Sequence, residues 1–368
     1  MTKHSKSRLK GEAASQPRLG RITTIGVDVG DKYSEMCLLD GRGCVQGRMR
    51  VRTTPAAVGA YFGGLARTRV ALEIGTHSPW MSRLLEQCGH DVIVANAREL
   101  RKIHQSDRKN DRNDAEMLAR LAQVDPSLLK PIRHRSAQKQ ADLAVIRARD
   151  VVVRTRAGYI HAARGLTKSF GARLPKCSAE AFVKRATTAI PEHLEPALAP
   201  LLKTIAECTA TIRGYDRYLE HLMVERYPET QLPRQITGVG PVTALAFVLS
   251  LADKNRFAHS RDVGAYLGLV PKQYDSGDRR SQLHITKAGN AYVRRLLVQN
   301  AQYILGPGRP DCNLRRYGER LMQRGGKNAK HRAVIAVARK LAVLMHALWT
   351  TGAVYEPNYL PAMNDQAA

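Results

Sequence analysis

The stretch from Arg21 to Asn96 leaves this chain few folds to choose from. Three β-rich runs, "RITTIGVDVG", "SEMCLLD" and "CVQGRMRVRT", follow one another with only short turns such as "GRG" between them. Strands joined that tightly form an antiparallel meander, because a parallel connection needs a crossover of a dozen residues or more. The pattern then changes. A helix is expected over about 55–66, "RVALEIG" as a strand, a helix from about Pro79 to Cys88, "HDVIVAN" as a strand, and a helix ending near 122. Strands alternating with helices imply right-handed parallel crossovers.

A meander of three strands followed by parallel strand–helix units is the arrangement of a ribonuclease-H-like sheet, and it places two anomalies in context. Asp28 interrupts the apolar strand "IGVDVG" and Glu73 interrupts "VALEIG". A carboxylate there is costly unless something compensates it. Each could be no more than a turn former beside its glycine. In "SDRKNDRNDAEMLARL", Asp111 and Asp114 stand three apart at a helix start, on one face. Like charges so placed repel unless a cation lies between them, although helix capping and the helix dipole also favour aspartate at that position. In a ribonuclease-H-like sheet the four acids would converge at one end. Four carboxylates suit two Mg²⁺ ions, which take hard oxygen ligands and can stabilise attacking and leaving oxygens of a phosphodiester. Asp107 and Glu116 are nearby substitutes.

From about 134 to 229 the β signal disappears. "SAQKQADLAVIRARDVVVRTRAGYIHAARGL" reads as a long basic helix, and a second begins near Pro200. Along the second, Leu201, Ile205, Cys208, Ile212, Tyr215, Leu219 and Leu222 recur at steps of four and three, the a/d spacing of a coiled coil, with Gly214 inside the seam. Such a seam needs a partner, from the preceding helix or from a second subunit. The last third, about 230–350, reads as mostly helical, and the tail from Gly352 as irregular.

Charge narrows the function classes. Lys and Arg total 59 against 32 Asp and Glu, a net charge of +27, and a field of that sign attracts polyanions and releases their counterions. Nucleic acid is the partner it points to. Residues 1–21 carry six Lys or Arg and one Glu, a basic arm for non-specific phosphate contact. Cysteines 37, 44, 88, 177, 208 and 312 follow no zinc spacing and read as reduced core residues. With no ~20-residue apolar run and no signal-peptide core, a cytoplasmic, nucleoid-associated protein without membrane attachment is expected.

Two basic motifs stand in the last third. "TGVGP" (237–241) resembles the turn of a helix-hairpin-helix: Gly238 and Gly240 would admit phosphate to backbone N–H groups, with Pro241 at the first helical position. A tight turn into a helix explains it equally well. "QYDSGDRR" (273–280) reads as a surface turn. Ser276 nonetheless sits among Lys272, Arg279 and Arg280, with Lys287, Arg294 and Arg295 following, and His284 and Gly289 between. Positive charge is what a serine needs to stabilise its alkoxide and a developing phosphorane.

In the order "IGVDVG", "ALEIGTHS", "KNDRNDAEMLA", "ITGVGPVTALAFVLSLADKNRFAHSRDVGAYLGLVPKQYDSG", "ITKAGNAYVRRLL" and "HRAVIAVARKLA", the chain resembles the DEDD transposases of the insertion sequence 110 family, the bridge-RNA-guided recombinases. The resemblance implies a basic arm (1–21), a RuvC-like domain (22–130), a helical coiled-coil region (131–229), a mostly α-helical transposase domain (230–350) and a tail (351–368). It puts the DEDD acids on Asp28, Glu73, Asp111 and Asp114, and the serine nucleophile on Ser276, with Tyr274 and Gly277 in register. It further implies Mg²⁺, a covalent phosphoserine link to DNA, donor and target DNA bound with a structured guide RNA, and a homodimer or homotetramer in which acids and serine come from different subunits. No nucleotide cofactor is expected, since the chain has no G-x-x-x-x-G-K-[ST] loop and a phosphodiester to serine conserves the bond energy. Three rival readings remain. One is a metal-dependent Holliday-junction nuclease that uses water, with Ser276 a mere turn. Another is an actin-like ATPase or sugar kinase, for which "GVDVGDKYS" would be the first phosphate loop. The third is a non-enzymatic nucleic-acid scaffold.

Overall fold

The computed structural model describes residues 22–96, 110–273 and 283–358, together with the backbone of Asp275, Ser276, Arg279 and Arg280. The chain forms two compact units that divide between Ala137 and Gln138. The basic arm, Asp107, Tyr274, Gly277 and the end of the tail lie outside the described residues.

The first unit is built on a five-stranded mixed sheet in the order β3-β2-β1-β4-β5. β1 (Ile22–Val29), β2 (Tyr33–Asp40) and β3 (Val45–Arg52) form the antiparallel meander, and β4 (Arg69–Glu73) and β5 (Asp91–Ala95) run parallel to β1. Helices α1 (Pro55–Gly63) and α2 (Ser78–Gln87) make the two crossovers. Their core faces one side of the sheet, where Ile25, Val27, Met36, Leu38, Val70 and Leu72 pack with Phe62, Met81 and Leu85. Helix α3 (Asp111–Val124) covers the other side, with Ala115 and Ala119 against Cys37 and Leu39, and Leu118 and Ala122 against Ala71, Ile93 and Ala95. Period-two alternation in the strands sorts the side chains between these two layers. The expected sheet is therefore the observed one, an arrangement consistent with a ribonuclease-H-like domain.

The second unit is helical. Its two longest helices, α4 (Ala137–Lys168) and α5 (Glu195–Arg226), lie antiparallel: Asp142 pairs with Arg226, Arg149 with Asp216, and Arg156 with Thr209. Helix α5 thus packs along the preceding long helix of the same chain, and of the seam expected from the sequence Ile205, Ile212, Leu219 and Leu222 are buried, whereas Leu201, Cys208 and Tyr215 are only partly so. The seam is not continuously apolar. Leu198, Leu202 and Ile205 join one cluster with Ile160 and Ala163, Leu219, Leu222 and Met223 join another with Leu143 and Ile146, and the polar pairs occupy the middle. The α5 helix begins a turn before the expected start and carries Pro200 inside it. At the Asp142 end, the buried carboxylate accepts from the Tyr227 hydroxyl at 2.7 Å and from Gln138 at 3.0 Å. Burial first, then that bond, pushes the Tyr227 hydroxyl far above its ordinary range.

Around these pack α6 (Pro241–Leu251), α7 (Ala291–Ile304), α8 (Asn313–Gln323) and α9 (Ala329–Thr351). Every residue of α6 from Thr243 to Leu251 is buried. Helix α9 is long and apolar enough to cross a membrane, yet ten of its residues are buried in this core, Val337, Leu341 and Met345 among them. His346 of α9 donates from Nε2 to the Lys254 carbonyl (3.0 Å) and accepts at Nδ1 from Ser260 (2.9 Å), and its burial lowers its pKa. The neutral ring pins the loop after α6. Of the six cysteines only Cys37 and Cys312 are buried and Cys44 is exposed, which corrects the expectation that all are core residues.

Candidate active site and nucleic-acid contacts

The sheet register builds the acidic end. Asp28 lies opposite Glu35 on β2, Glu35 lies opposite Arg50 on β3, and Glu73 stands one step beyond the pair Val27 and Leu72 on β4. Arg50, Glu35, Asp28 and Glu73 therefore form a row across four neighbouring strands. They share a face as well. Gly26, two residues before Asp28, faces α3 so closely that a Cβ there would stand 2.0 Å from the Ala115 carbonyl oxygen and 2.5 Å from the Ala119 nitrogen. Cys37 and Ala71 face α3 too. Asp28, Glu35 and Glu73, each two residues along from one of these, then point to the same layer.

The direction of α3 completes the arrangement. Its last turn is tied to the strand beginnings: Arg69 at the start of β4 donates to the Ala122 carbonyl (3.2 Å), and Gln123 donates to the Asp40 carbonyl (2.8 Å), opposite Ile22. The first turn, with exposed Asp111 and half-buried Asp114, consequently lies toward the strand ends that carry Asp28 and Glu73. Capping does not account for either aspartate, because Asn110 is the N-cap and accepts from the Arg112 N–H at 3.1 Å. The helix dipole favours both. Glu116, one turn further on, bonds Arg48 of β3 and Arg120, whose guanidinium groups hold its carboxyl below the ordinary range. It is occupied as a clamp between helix and sheet.

The loops after β1 and β4 are pinned. Trp80 donates from its ring nitrogen to Nδ1 of His77 (3.1 Å), which leaves Nε2 to donate to Asp31 (3.3 Å). Buried Ser78 gives its proton to the Gly75 carbonyl (2.9 Å) and accepts from the Gly75 N–H (3.0 Å) and from Nε2 of His134 (2.9 Å). Burial, with Arg83 and Arg135 nearby, keeps His134 below its usual pKa. As a donor set, four carboxylates on one face of one sheet end match the hard-oxygen preference of Mg²⁺. Among the described residues, no three His, Cys, Asp or Glu side chains stand close enough to hold one metal ion.

Ser276 lies on an arm of the second unit. Lys272 N–H bonds the His284 carbonyl (2.9 Å) and Thr286 N–H the Val270 carbonyl (2.9 Å); further out, β6 (Asp275–Ser276) pairs antiparallel with β7 (Arg279–Arg280), Ser276 opposite Arg279. What reads as a turn thus carries a short antiparallel ladder. Its root is rigid. A Cβ on Gly268 would meet the Ala288 nitrogen at 2.2 Å, one on Gly289 the Tyr266 carbonyl oxygen at 2.1 Å, and Asn290 caps α7 while donating to Ser250 (2.9 Å). Arg294 braces the root by donating to the Leu267 and Ala288 carbonyls at 3.0 and 2.6 Å. Arg295 pairs with Asp150 and lies over Tyr292. Arg294 is half-buried on its carbonyl partners, whereas Arg295, although paired with Asp150, is exposed like Lys272 and Lys287.

In "TGVGP" the two glycines differ. Gly238 has φ +90°, and a Cβ there would meet the Tyr303 ring at 2.8 Å, so packing explains it without a phosphate. Gly240 is the extended N-cap of α6, with open space where a Cβ would stand, and Pro241 takes the first turn. Residue-type reasoning passed over Glu35 and Gly26. The signal for both was parity, two residues from Cys37 and from Asp28.

Acids at one end of the first unit's sheet and a serine arm on the second unit are the candidate chemistry, and comparison with known proteins shows which class of enzyme the chain resembles: the transposases. An IS110-type DEDD transposase model matches residues 25–170, and a model described as "Transposase IS116/IS110/IS902 family" matches residues 231–309. The chain is 27% identical over 347 residues to a transposase for insertion sequence element IS1111A of Coxiella burnetii, covering 91% of each chain. It is 29% identical over 350 residues to a transposase for element IS1328 of Yersinia enterocolitica, covering 91% of this chain and 98% of the relative. A probable family 20 transposase of Pseudomonas aeruginosa is 26% identical over 343 residues. The chain belongs to the IS110 family of transposases.

Proposed function

We propose that this transposase cuts and rejoins DNA at an insertion element through a transient phosphodiester between DNA and Ser276. The observation that carries the reading is that Asp28 and Glu73 lie side by side on the α3 face of the sheet, with the first turn of α3, which bears Asp111 and Asp114, at the same end. These acids would hold magnesium, which when bound supplies charge stabilisation at a scissile phosphate. Ser276 Oγ gives up its proton and bonds phosphorus, and the bond from phosphorus to the leaving sugar oxygen breaks, that oxygen taking up a proton. The reverse attack by a second strand end restores the serine. One ester replaces another at each step, so no nucleotide hydrolysis is needed. Exposed Lys272 and Lys287, with Arg279 and Arg280, would hold phosphates near the serine arm, and the Gly240 N-cap, at the other end of α6 from the Asn290–Ser250 bond, would hold one away from it.

The net charge supports carrying two polymers, donor and target DNA and a structured guide RNA whose pairing would read sequence while the protein reads backbone and shape. The functional division follows as arm 1–21, sheet domain 22–130, helical region 131–229, serine domain 230–350 and tail 351–368, acting as a homodimer or homotetramer.

The test is trapping. Purified chain, element-end DNA and Mg²⁺ are mixed and resolved under denaturing conditions. A protein–DNA adduct lost in Ser276→Ala and in Asp28→Asn is expected. Undiminished cutting by Ser276→Ala without any adduct would overturn the serine step in favour of a water-using nuclease. Sequencing co-purified RNA tests the guide: one element-encoded RNA is expected, and random host RNA counts against it.

A further inference from the structure

Edge strand β3 carries a feature that the acids do not explain. Arg48, Arg50 and Arg52 alternate with Met49 and Val51, so the two apolar side chains enter the core and all three arginines share the α3 face. We propose that this row is a rail for the sugar-phosphate backbone of the DNA strand presented to the acidic end. The inference rests on the strand-transfer reading above.

Three observations carry it. The first is position, because Arg50 is the outer member of the cross-strand row Arg50, Glu35, Asp28 and Glu73, which puts its cation at the level of the candidate acids. Arg48 and Arg52 extend the row along the edge at a repeat of about 6.8 Å, two residues of strand rise, or about two nucleotides of a strand rising ~3.4 Å each. The second is orientation. Glu35 holds the Arg50 guanidinium at 3.1 Å while it lies 4.3 Å over the Tyr33 ring, and Glu116 holds Arg48. The third is availability, since the Arg50 and Arg48 side chains remain 63% and 50% exposed. One carboxylate does not use up the five donors of a guanidinium, and the planar fork is suited to bidentate phosphate contact. A charged edge also discourages sheet-to-sheet pairing. That role needs no fixed guanidinium, however, and makes no demand that charge lie level with Asp28.

Binding of full-length protein to element-end duplex DNA is measured over a salt series without Mg²⁺, comparing wild type with Arg50→Gln, the triple variant Arg48→Gln/Arg50→Gln/Arg52→Gln, and Arg50→Lys as the charge-keeping control. Each lost phosphate contact should flatten the slope of log K against log salt by about 0.9. The triple variant should therefore flatten by about 2 to 3 and bind at least tenfold more weakly at low salt, with Arg50→Lys close to wild type in slope. Circular dichroism and gel filtration confirm that the variants fold. A wild-type slope in the folded triple variant overturns the rail, as does flattening confined to the co-purified RNA. Asp28→Asn separates the two proposals: the strand-transfer reading fails if that variant still forms adduct, whatever the arginine variants do, and the rail fails on slope alone, whatever the adduct assay gives.

Discussion

The two candidate catalytic elements are held in different ways. Asp28 and Glu73 stand on neighbouring central strands of a sheet packed on both faces, and the helix bearing Asp111 and Asp114 is seated backbone against backbone on Gly26. Ser276 stands near the end of a hairpin arm whose outer ladder is two residue pairs long, and its rigidity lies in the root, at Gly268, Gly289, Asn290 and Arg294. The contrast teaches that the acids need a fixed frame, because like charges hold a shared position only against repulsion. On the proposed mechanism, a serine that has to meet successive strand ends would gain from a short arm on a rigid base.

Four substitutions test this comparison, from the largest expected effect to the smallest. Gly26→Leu would break the acidic end. Even the first carbon of the new side chain overlaps the α3 backbone, so the helix must lift, with a loss of about 3 kcal/mol or more read as an earlier unfolding transition of the first unit and loss of adduct. Asp142→Ala tests the helix pair: it leaves Arg226 and the Tyr227 hydroxyl without their buried acceptor and should cost about 2 to 3 kcal/mol, seen in urea unfolding, while adduct formation by the remaining folded protein persists. Gly238→Ala forces a side chain into a left-handed backbone against Tyr303. It should cost about 1 to 2 kcal/mol and leave the salt slope of DNA binding unchanged; a flatter slope would restore the phosphate reading of that glycine. Glu116→Gln loosens the clamp between α3 and β3 by less than ~1 kcal/mol, because its arginines are half exposed. Its pH signature has a definite sign. The folded carboxyl sits below the unfolded value of about 4.3, so the clamp contributes fully above that value and is lost as pH falls through the folded one. Acid unfolding of the glutamine variant should lack that component.

The layered sheet was legible because each strand announces itself by apolar alternation and each connection length allows only one pairing direction. Asp28 and Glu73 were legible as charges where apolar residues belong, and Asp111 and Asp114 as a like-charged pair at a helix start. The hairpin was not, since "YDSG" has turn chemistry and a ladder of two pairs leaves no periodic trace. For Arg294 and Arg295, proximity in sequence shows charge but not the partners that position it. One turns to backbone carbonyls and the other to Asp150, 145 residues away.

By itself, then, the sequence determined the order of strands and helices, the positive field, and the residue types able to bind metal or attack phosphate. These follow from local periodicity and composition. The tertiary structure decided that Asp28, Glu35 and Arg50 fall in one row, that Gly26 is the seat of α3, that α5 packs along α4 of its own chain and that Gly238 packs on Tyr303. Register across strands and approach between helices are set by which side chains fill the space between them, and that is written in pairs of residues far apart in the chain.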